Sequence, residues 1–287
     1  MAASFLITLR EGFEAALIVA IVLAYLRQIG RQDAFRYVWL GTAAALAISF
    51  AVGAAAWRVL DGLEGTPRRL LFAVICLAAT GVLTWMIFWM KRQARFISRE
   101  LHEQIDRTLR AGGSVLALAS IPFVAVLREG IETVLFLLAV LVGTSPRDFA
   151  AGGLLGLLGA VVLGVVVYQS GRRLNLRLFF SLTGGLVLLI AAGLFARGIA
   201  WLQEAAVLPT VWWPVWDVHL NPIVGYGTVA QFLSGLIGWN PRPSIEEVTA
   251  WAAYLLVTGW LFYVGPLPFT RPTPPAPPRV ATGTVGR

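Results

Sequence analysis

The chain has few residues with which to hold a soft metal and little charge with which to face water. One cysteine and two histidines occur in 287 residues. The lone Cys76 excludes an intrachain disulfide, and three such side chains are too few for a typical zinc or copper site. Only 13% of the residues are charged, about half of the ~25% found in soluble domains. Lysine is nearly missing: of 23 basic residues, Lys91 alone is not arginine. No basic residue precedes the first apolar run, and Arg10, Glu11 and Glu14 interrupt it, so it does not read as a cleavable signal. What abounds is apolar: 58% of the residues are hydrophobic and the mean hydropathy is +0.76. This is the composition of an all-α polytopic membrane protein.

A membrane helix takes about 20 mostly apolar residues. The runs place seven spans at about 4–26, 37–57, 70–90, 114–142, 150–170, 179–202 and 248–269. Pro122 predicts a break or a short extra helix near Ser120–Pro122 in the long fourth run. A single transmembrane domain covers 1–270, with an outer loop at about 203–247, and the Pro-rich stretch 271–287 reads as a disordered cytoplasmic tail.

Basic residues set the direction. Arg27, Arg31 and Arg36 follow the first span, Lys91, Arg92, Arg95, Arg99, Arg107 and Arg110 the third, and Arg172, Arg173 and Arg177 the fifth. The opposite side has only Arg58, Arg68, Arg69, Arg147 and Arg242. The N-terminus is therefore expected outside and the C-terminus in the cytoplasm, in a plasma or inner membrane. The net charge of +8 is on this reading a topology signal and not a nucleic-acid surface. Ile97, Leu101, Ile105 and Leu109 recur between charges, which predicts a cytoplasmic helix over Lys91–Arg110 lying against the bundle or the lipid surface. Val224–Gly238 predicts a short interfacial helix in the outer loop.

One pattern is out of keeping with an apolar chain. Leu9-Arg10-Glu11-Gly12-Phe13-Glu14 recurs as Leu127-Arg128-Glu129-Gly130-Ile131-Glu132, inside the first and fourth spans. A charge at the centre of a membrane helix costs at least about 2.5–3.5 kcal/mol. The duplication extends further. Gly41 and Gly53 keep the spacing of Gly152 and Gly164, and Gly81 and Trp89 that of Gly193 and Trp201. Repeat 1 covers about 1–90 and repeat 2 about 114–202. Each holds three spans, so the second enters the membrane inverted, an arrangement common in secondary transporters. The seventh span has no partner.

At 100° per residue, Arg10, Glu11 and Glu14 share one helix face, and Gly12 lies behind it where another helix can approach. If the two helices meet, Glu11, Glu14, Glu129 and Glu132 converge. Arg10 and Arg128 reduce the formal charge from −4 to −2. Carboxylate oxygens suit hard cations such as ferric iron, manganese or magnesium. A bland alternative is a pair of structural Arg–Glu bridges, but each copy carries one carboxylate more than its arginine neutralises.

This Arg-Glu-x-x-Glu pair in the first and fourth of seven spans resembles the oxidase-dependent iron permease family, over essentially residues 1–270. Trp216-Asp217 and Gly238-Trp239-Asn240-Pro241-Arg242-Pro243-Ser244 resemble the last external loop of its bacterial branch. The resemblance implies a transporter and not an enzyme. Iron would be the transported substrate, carried by Glu11, Glu14, Glu129 and Glu132 with Arg10 and Arg128 beside them, and no cofactor would be permanently bound. It also implies an external oxidase or peroxidase system, or an iron-binding protein, as partner. Another cation such as lead or manganese fits the same scaffold. An intramembrane hydrolase needs helix-borne histidines or a metal held by them, and His102 and His219 fall outside the spans.

Four accessory positions carry weaker signals. Arg197, near the outer end of the sixth span, reads first as a snorkelling or structural arginine, with neutralisation of a site glutamate as the alternative. Glu204, Asp217 and His219 would suit an external iron relay, although Asp217 and His219 read first as loop-stabilising or solvated groups. Trp212, Trp213 and Trp216 suit the membrane interface.

Overall fold

The structure is a computed structural model that describes residues 1–93, 97–110, 115–141, 145–170, 176–225 and 227–264. The proposed tail at 271–287 lies outside these. The described residues are helical, with no strand among them. In chain order they are α1 (Ala2–Gln28), α2 (Phe35–Asp61), α3 (Gly65–Gln93), α4 (Ile97–Arg110), α5 (Val115–Leu141), α6 (Pro146–Ser170), α7 (Leu176–Glu204), α8 (Thr228–Ile237) and α9 (Ile245–Tyr263), with a short 3-10 turn at Gln32–Ala34.

Four segments are long and apolar enough to cross a membrane by length and composition: Gln32–Asp61, Gly65–Met90, Pro146–Gln169 and Ser181–Glu204. α1 and α5 have 27 residues each, a spanning length at 1.5 Å per residue, but both carry the charged motif well inside. The outward faces of α2 and α6 are apolar: Trp39, Leu40 and Phe50 on one, Leu154, Leu158 and Val162 on the other, are exposed. Apolar surface of that extent is what lipid covers.

The helices pair across the chain. α1 packs on α6, α2 on α5, and α3 on α7, while α9 lies against α7. Glycines set how closely they approach. A Cβ on Gly12 would lie 2.9 Å from Cβ of Ala160, and one on Gly130 would lie 2.1 Å from Oγ of Ser49. The exchange that takes Gly12 to Gly130 also takes Ala160 to Ser49. The same exchange relates Gly41 against Ala119 to Gly152 against Met1, and Gly53 against Val134 to Gly164 against Ala16. The small residues expected behind the motif thus form the contact between the two halves of the chain.

Two buried apolar clusters fill the bundle. One is built on Phe13, Leu17, Leu83, Phe136 and Ile190. The other gathers Val22, Leu26, Val38 and Val126 with Leu101 and Ile105 of α4. The charged connector therefore lies on the bundle, as its four-residue apolar spacing predicts; of the span expected from Lys91 to Arg110, residues 91–93 belong to the end of α3, and 94–96 lie outside the described residues. Tyr25 donates its hydroxyl to Asp106 at 2.5 Å, tying α4 to the end of α1. The break expected at Ser120–Pro122 does not occur. α5 runs unbroken through Pro122, held along its length by the close packing of Gly41 and Gly53 of α2; a proline inside a packed membrane helix is tolerated where neighbours support the backbone.

On the outer side, α8 ends at Gly238, whose φ of 75° is open to glycine at no steric cost. The glycine is also needed because its Cβ would lie 2.2 Å from Cα of Gly193. α9 starts on a capping box: Ser244 accepts from the Glu247 amide, and the Glu247 carboxylate accepts from the Ser244 amide at 3.2 Å.

Candidate functional site

The two motif copies meet where α1 and α5 touch. Arg10 lies between its own glutamates, with Nη1 at 3.2 Å from Glu11 Oε1 and Nη2 at 3.3 Å from Glu14 Oε1. The same Nη1 donates to the Met86 sulfur of α3 at 3.6 Å. Arg10, Glu11, Glu14 and Glu129 are all buried. In the second copy, Arg128 Nη2 lies 2.5 Å from Glu129 Oε1 and Nε 3.7 Å from Glu132 Oε1. The Arg128 guanidinium also sits 4.9 Å from the centre of the Trp89 ring.

Glu11, Glu14 and Glu129 each offer a carboxylate oxygen within 4.8 Å of the others. Glu132, a turn beyond Glu129, lies outside that group and is partly exposed. Of the four carboxylates expected to converge, three do so tightly. One oxygen of each of the four glutamates is buried and accepts no hydrogen bond: Glu11 Oε2, Glu14 Oε1, Glu129 Oε2 and Glu132 Oε2. Glu14 Oε1 is within ion-pair distance of Arg10 but lacks hydrogen-bond geometry. An unsatisfied buried polar group costs about 1–3 kcal/mol, and more when charged. A hard cation is the partner these oxygens suit.

The two copies are not equivalent. Arg10 is sealed in, whereas the side chain of Arg128 keeps 44% of its exposure. Arg128, Glu14 and Glu129 border a cavity of about 440 Å³ that reaches Leu101 and Gln104 of α4, with Trp89 and Ser120 on its wall. The cluster is therefore open toward the α4 side. Trp89 and Met86 are contacts that the sequence did not single out for this role. Their signal lay in the Trp85-Met86 and Trp89-Met90 spacing along α3, which places them on one face.

The accessory residues are separated from the cluster. Arg197 donates to Ser234 Oγ of α8 at 2.6 Å and makes no ion pair with a motif glutamate. Its outward position on α7 puts α8 and not α1 within reach, so it does not neutralise a site glutamate. Glu204 lies 3.9 Å from Arg69, whose Nη1 donates to the Glu204 carbonyl at 2.9 Å. Asp217 pairs with His219 and, at 3.3 Å, with Arg242. The His219 side chain first, helped by Arg242, holds Asp217 below the ordinary carboxylate range. Arg242 also lies over Trp213 at 4.5 Å, and Trp216 stacks on Trp239. Asp217 and His219 thus knit the outer loop, while Glu204 borders a separate outer cavity.

A bundle of long apolar helices around a cluster of buried carboxylates, with Arg10 sealed among them and Arg128 at its edge, defines a polytopic membrane protein with a charged interior. Its family is given by comparison with known proteins: the model of the iron permease FTR1 family matches residues 1–268. The ferrous iron permease EfeU of Escherichia coli O6:K15:H31 (strain 536 / UPEC) is 35% identical over 259 residues, covering 88% of this chain and 91% of the relative. The protein of the same name from Yersinia pestis is 33% identical over 266 residues, 91% and 93% of the two chains. No solved structure matches. The chain belongs to the iron permease FTR1 family, and it is a transporter and not an enzyme.

Proposed function

We propose that iron crosses the membrane through the glutamates of the duplicated motif, with Glu11, Glu14 and Glu129 forming the inner cage and Glu132 the fourth ligand beside it. The observation that carries this reading is a buried oxygen on each of the four glutamates that accepts no hydrogen bond. The relatives are named ferrous iron permeases, and ferrous iron is the cargo this site suits. Its formal charge of −2, with both arginines counted, is cancelled by one divalent ion.

Seven membrane helices carry the site: α1, α2, α3, α5, α6, α7 and α9. The exchange of Gly12–Ala160 for Gly130–Ser49 and of Gly41–Ala119 for Gly152–Met1 supports an inverted pair of three-helix repeats, with α9 added. The arginine-rich loops support an N-terminus outside and a cytoplasmic C-terminus in the inner membrane. On that orientation the cavity between the cluster and α4 is the release path to the cytoplasm. Iron reaches the outer side from a separate oxidase, peroxidase or iron-binding protein.

Uptake of radiolabelled ferrous iron into proteoliposomes tests the site. Glu14→Ala and Glu129→Ala abolish uptake while the protein remains folded. Wild-type uptake by both variants would overturn the assignment.

A further inference from the structure

Arg10 and Arg128 come from one repeated pattern, yet they are bonded differently. Arg128 donates twice to Glu129 Oε1, from Nε at 3.0 Å and from Nη2 at 2.5 Å, and lies against Trp89. Arg10 is fully buried, and among the described residues it donates to one oxygen only, from Nη1 to Glu11 Oε1 at 3.2 Å. The same Nη1 turns to the Met86 sulfur at 3.6 Å, a weak acceptor. Its Nη2 lies 3.3 Å from Glu14 Oε1 without hydrogen-bond geometry, and its Nε has no acceptor.

A buried ion pair offsets its desolvation only where the geometry is good and the remaining donors and lone pairs are satisfied. Here both sides fall short, at Arg10 Nε, Glu11 Oε2 and Glu14 Oε1. Glu11 and Glu14 also belong to the same helix as Arg10, so its ion pairs tie no helix to another. Arg10 is held by charge and not by a set of directed bonds. The carboxylates that hold it are two of the three whose oxygens come within 4.8 Å of one another. A metal ion between those oxygens and a guanidinium against the same carboxylates would be like charges in one small dry space, and they would repel strongly.

We propose that Arg10 is the resident cation of the empty site: its guanidinium stands in for the iron between Glu11 and Glu14, gives way when the ion binds, and comes back when the ion leaves. The step that depends on it is the return of the unloaded protein. Four glutamates and two arginines leave the empty site at a formal −2, which a divalent ion cancels. Without Arg10 the empty site carries −3 and the loaded site −1. Charge inside a membrane is costly, so removing Arg10 hinders the unloaded return far more than the loaded passage. This role rests on the glutamates carrying iron, as proposed above.

Net uptake and exchange separate the two steps. Proteoliposomes holding the full-length protein receive radiolabelled ferrous iron under ascorbate, with either no iron inside or unlabelled ferrous iron inside. Exchange against internal iron needs no unloaded return. Arg10→Gln loses net uptake at least tenfold and keeps exchange, whereas Glu14→Gln loses both. Anaerobic calorimetry in detergent gives a second readout. Arg10→Gln binds ferrous ion several-fold more tightly than wild type, since its competitor is gone; an arginine that only shaped the site would weaken binding when removed. Arg10→Lys keeps the charge as a compact ammonium; it loses net uptake several-fold, keeps exchange, and carries the test if melting curves show that Arg10→Gln does not fold. The proposal is overturned if either folded variant loses exchange as far as net uptake, if Arg10→Gln keeps wild-type net uptake, or if it binds ferrous ion more weakly than wild type. Glu14→Gln with normal binding and uptake would remove the glutamate site itself, a failure distinct from that of Arg10.

Discussion

The guanidinium of Arg128 lies 4.9 Å from the centre of the Trp89 ring, while Arg10, its counterpart in the first motif, is sealed against Met86. One sequence pattern thus occupies two environments. Both arginines neutralise glutamates, but only Arg128 borders the cavity that opens toward α4. The ring lies against it while Glu129 and Glu132 pair with it from its own helix.

That contact has a measurable consequence. A cation–π pair contributes about 0.5–1 kcal/mol when exposed and ~2 when desolvated, and Arg128 is half-exposed. Trp89→Leu should therefore slow iron uptake by roughly two- to tenfold, and Trp89→Phe by less, since a smaller ring remains. Initial rates across a range of iron concentrations check this. Rates equal to wild type in Trp89→Leu would leave Trp89 with packing alone.

The four glutamates should not respond equally. Glu11, Glu14 and Glu129 are buried and hold oxygens within 4.8 Å of one another, while Glu132 is partly exposed beside Arg128. Replacing each with glutamine keeps shape and removes charge. Uptake should fall furthest for the first three and least for Glu132→Gln. A larger loss for Glu132→Gln than for the other three would mean that Glu132, and not the buried trio, provides the main ligand.

The helix contacts behind the site can be tested as pairs. A Cβ at Gly130 would meet Ser49 Oγ at 2.1 Å, and one at Gly12 would meet Ala160 at 2.9 Å. Overpacking of this kind costs typically about 1–3 kcal/mol. Gly130→Ala should lower the melting temperature in detergent, and the added Ser49→Gly should restore most of it. Gly12→Ala with Ala160→Gly should behave the same way, because Gly12 meets Ala160 as Gly130 meets Ser49. Additive losses in either double variant would rule out direct contact.

Much of this arrangement was legible because charge inside an apolar run cannot be mistaken for packing. Arg10, Glu11 and Glu14 fall on one helix face by the 100° step alone, and Gly12 falls behind it. The pairing of α1 with α6 and of α2 with α5 was not legible. A helix that is apolar all round, such as α7, has no polar face to show which neighbour it meets. Arg197 illustrates the same limit. Its partner Ser234 sits on a short helix in the following loop, and nothing in the local spacing of α7 points there. Pro122 misled for the opposite reason: a local rule about helix breaking gave way to tertiary packing against α2.

The outer loop gives a pH prediction with a definite sign. His219 and Arg242 hold Asp217 below the ordinary carboxylate range. A carboxyl depressed on folding stabilises above its unfolded value, near ~3.9, and loses that contribution as pH falls through the folded one. The loop that joins Val215 to Pro243 and Val218 to Pro241 should thus stay closed through neutral and mildly acidic pH and loosen only below the usual carboxylate range. Emission from Trp213, Trp216 and Trp239 reports on it, since Arg242 covers the first and the other two stack on each other. In Asp217→Asn the charge that draws in Arg242 is gone, so the loosened emission should already be present at neutral pH. A wild-type spectrum in that variant, unchanged down to strongly acidic conditions, would show that the tryptophan stack and the backbone bonds hold the loop without Asp217.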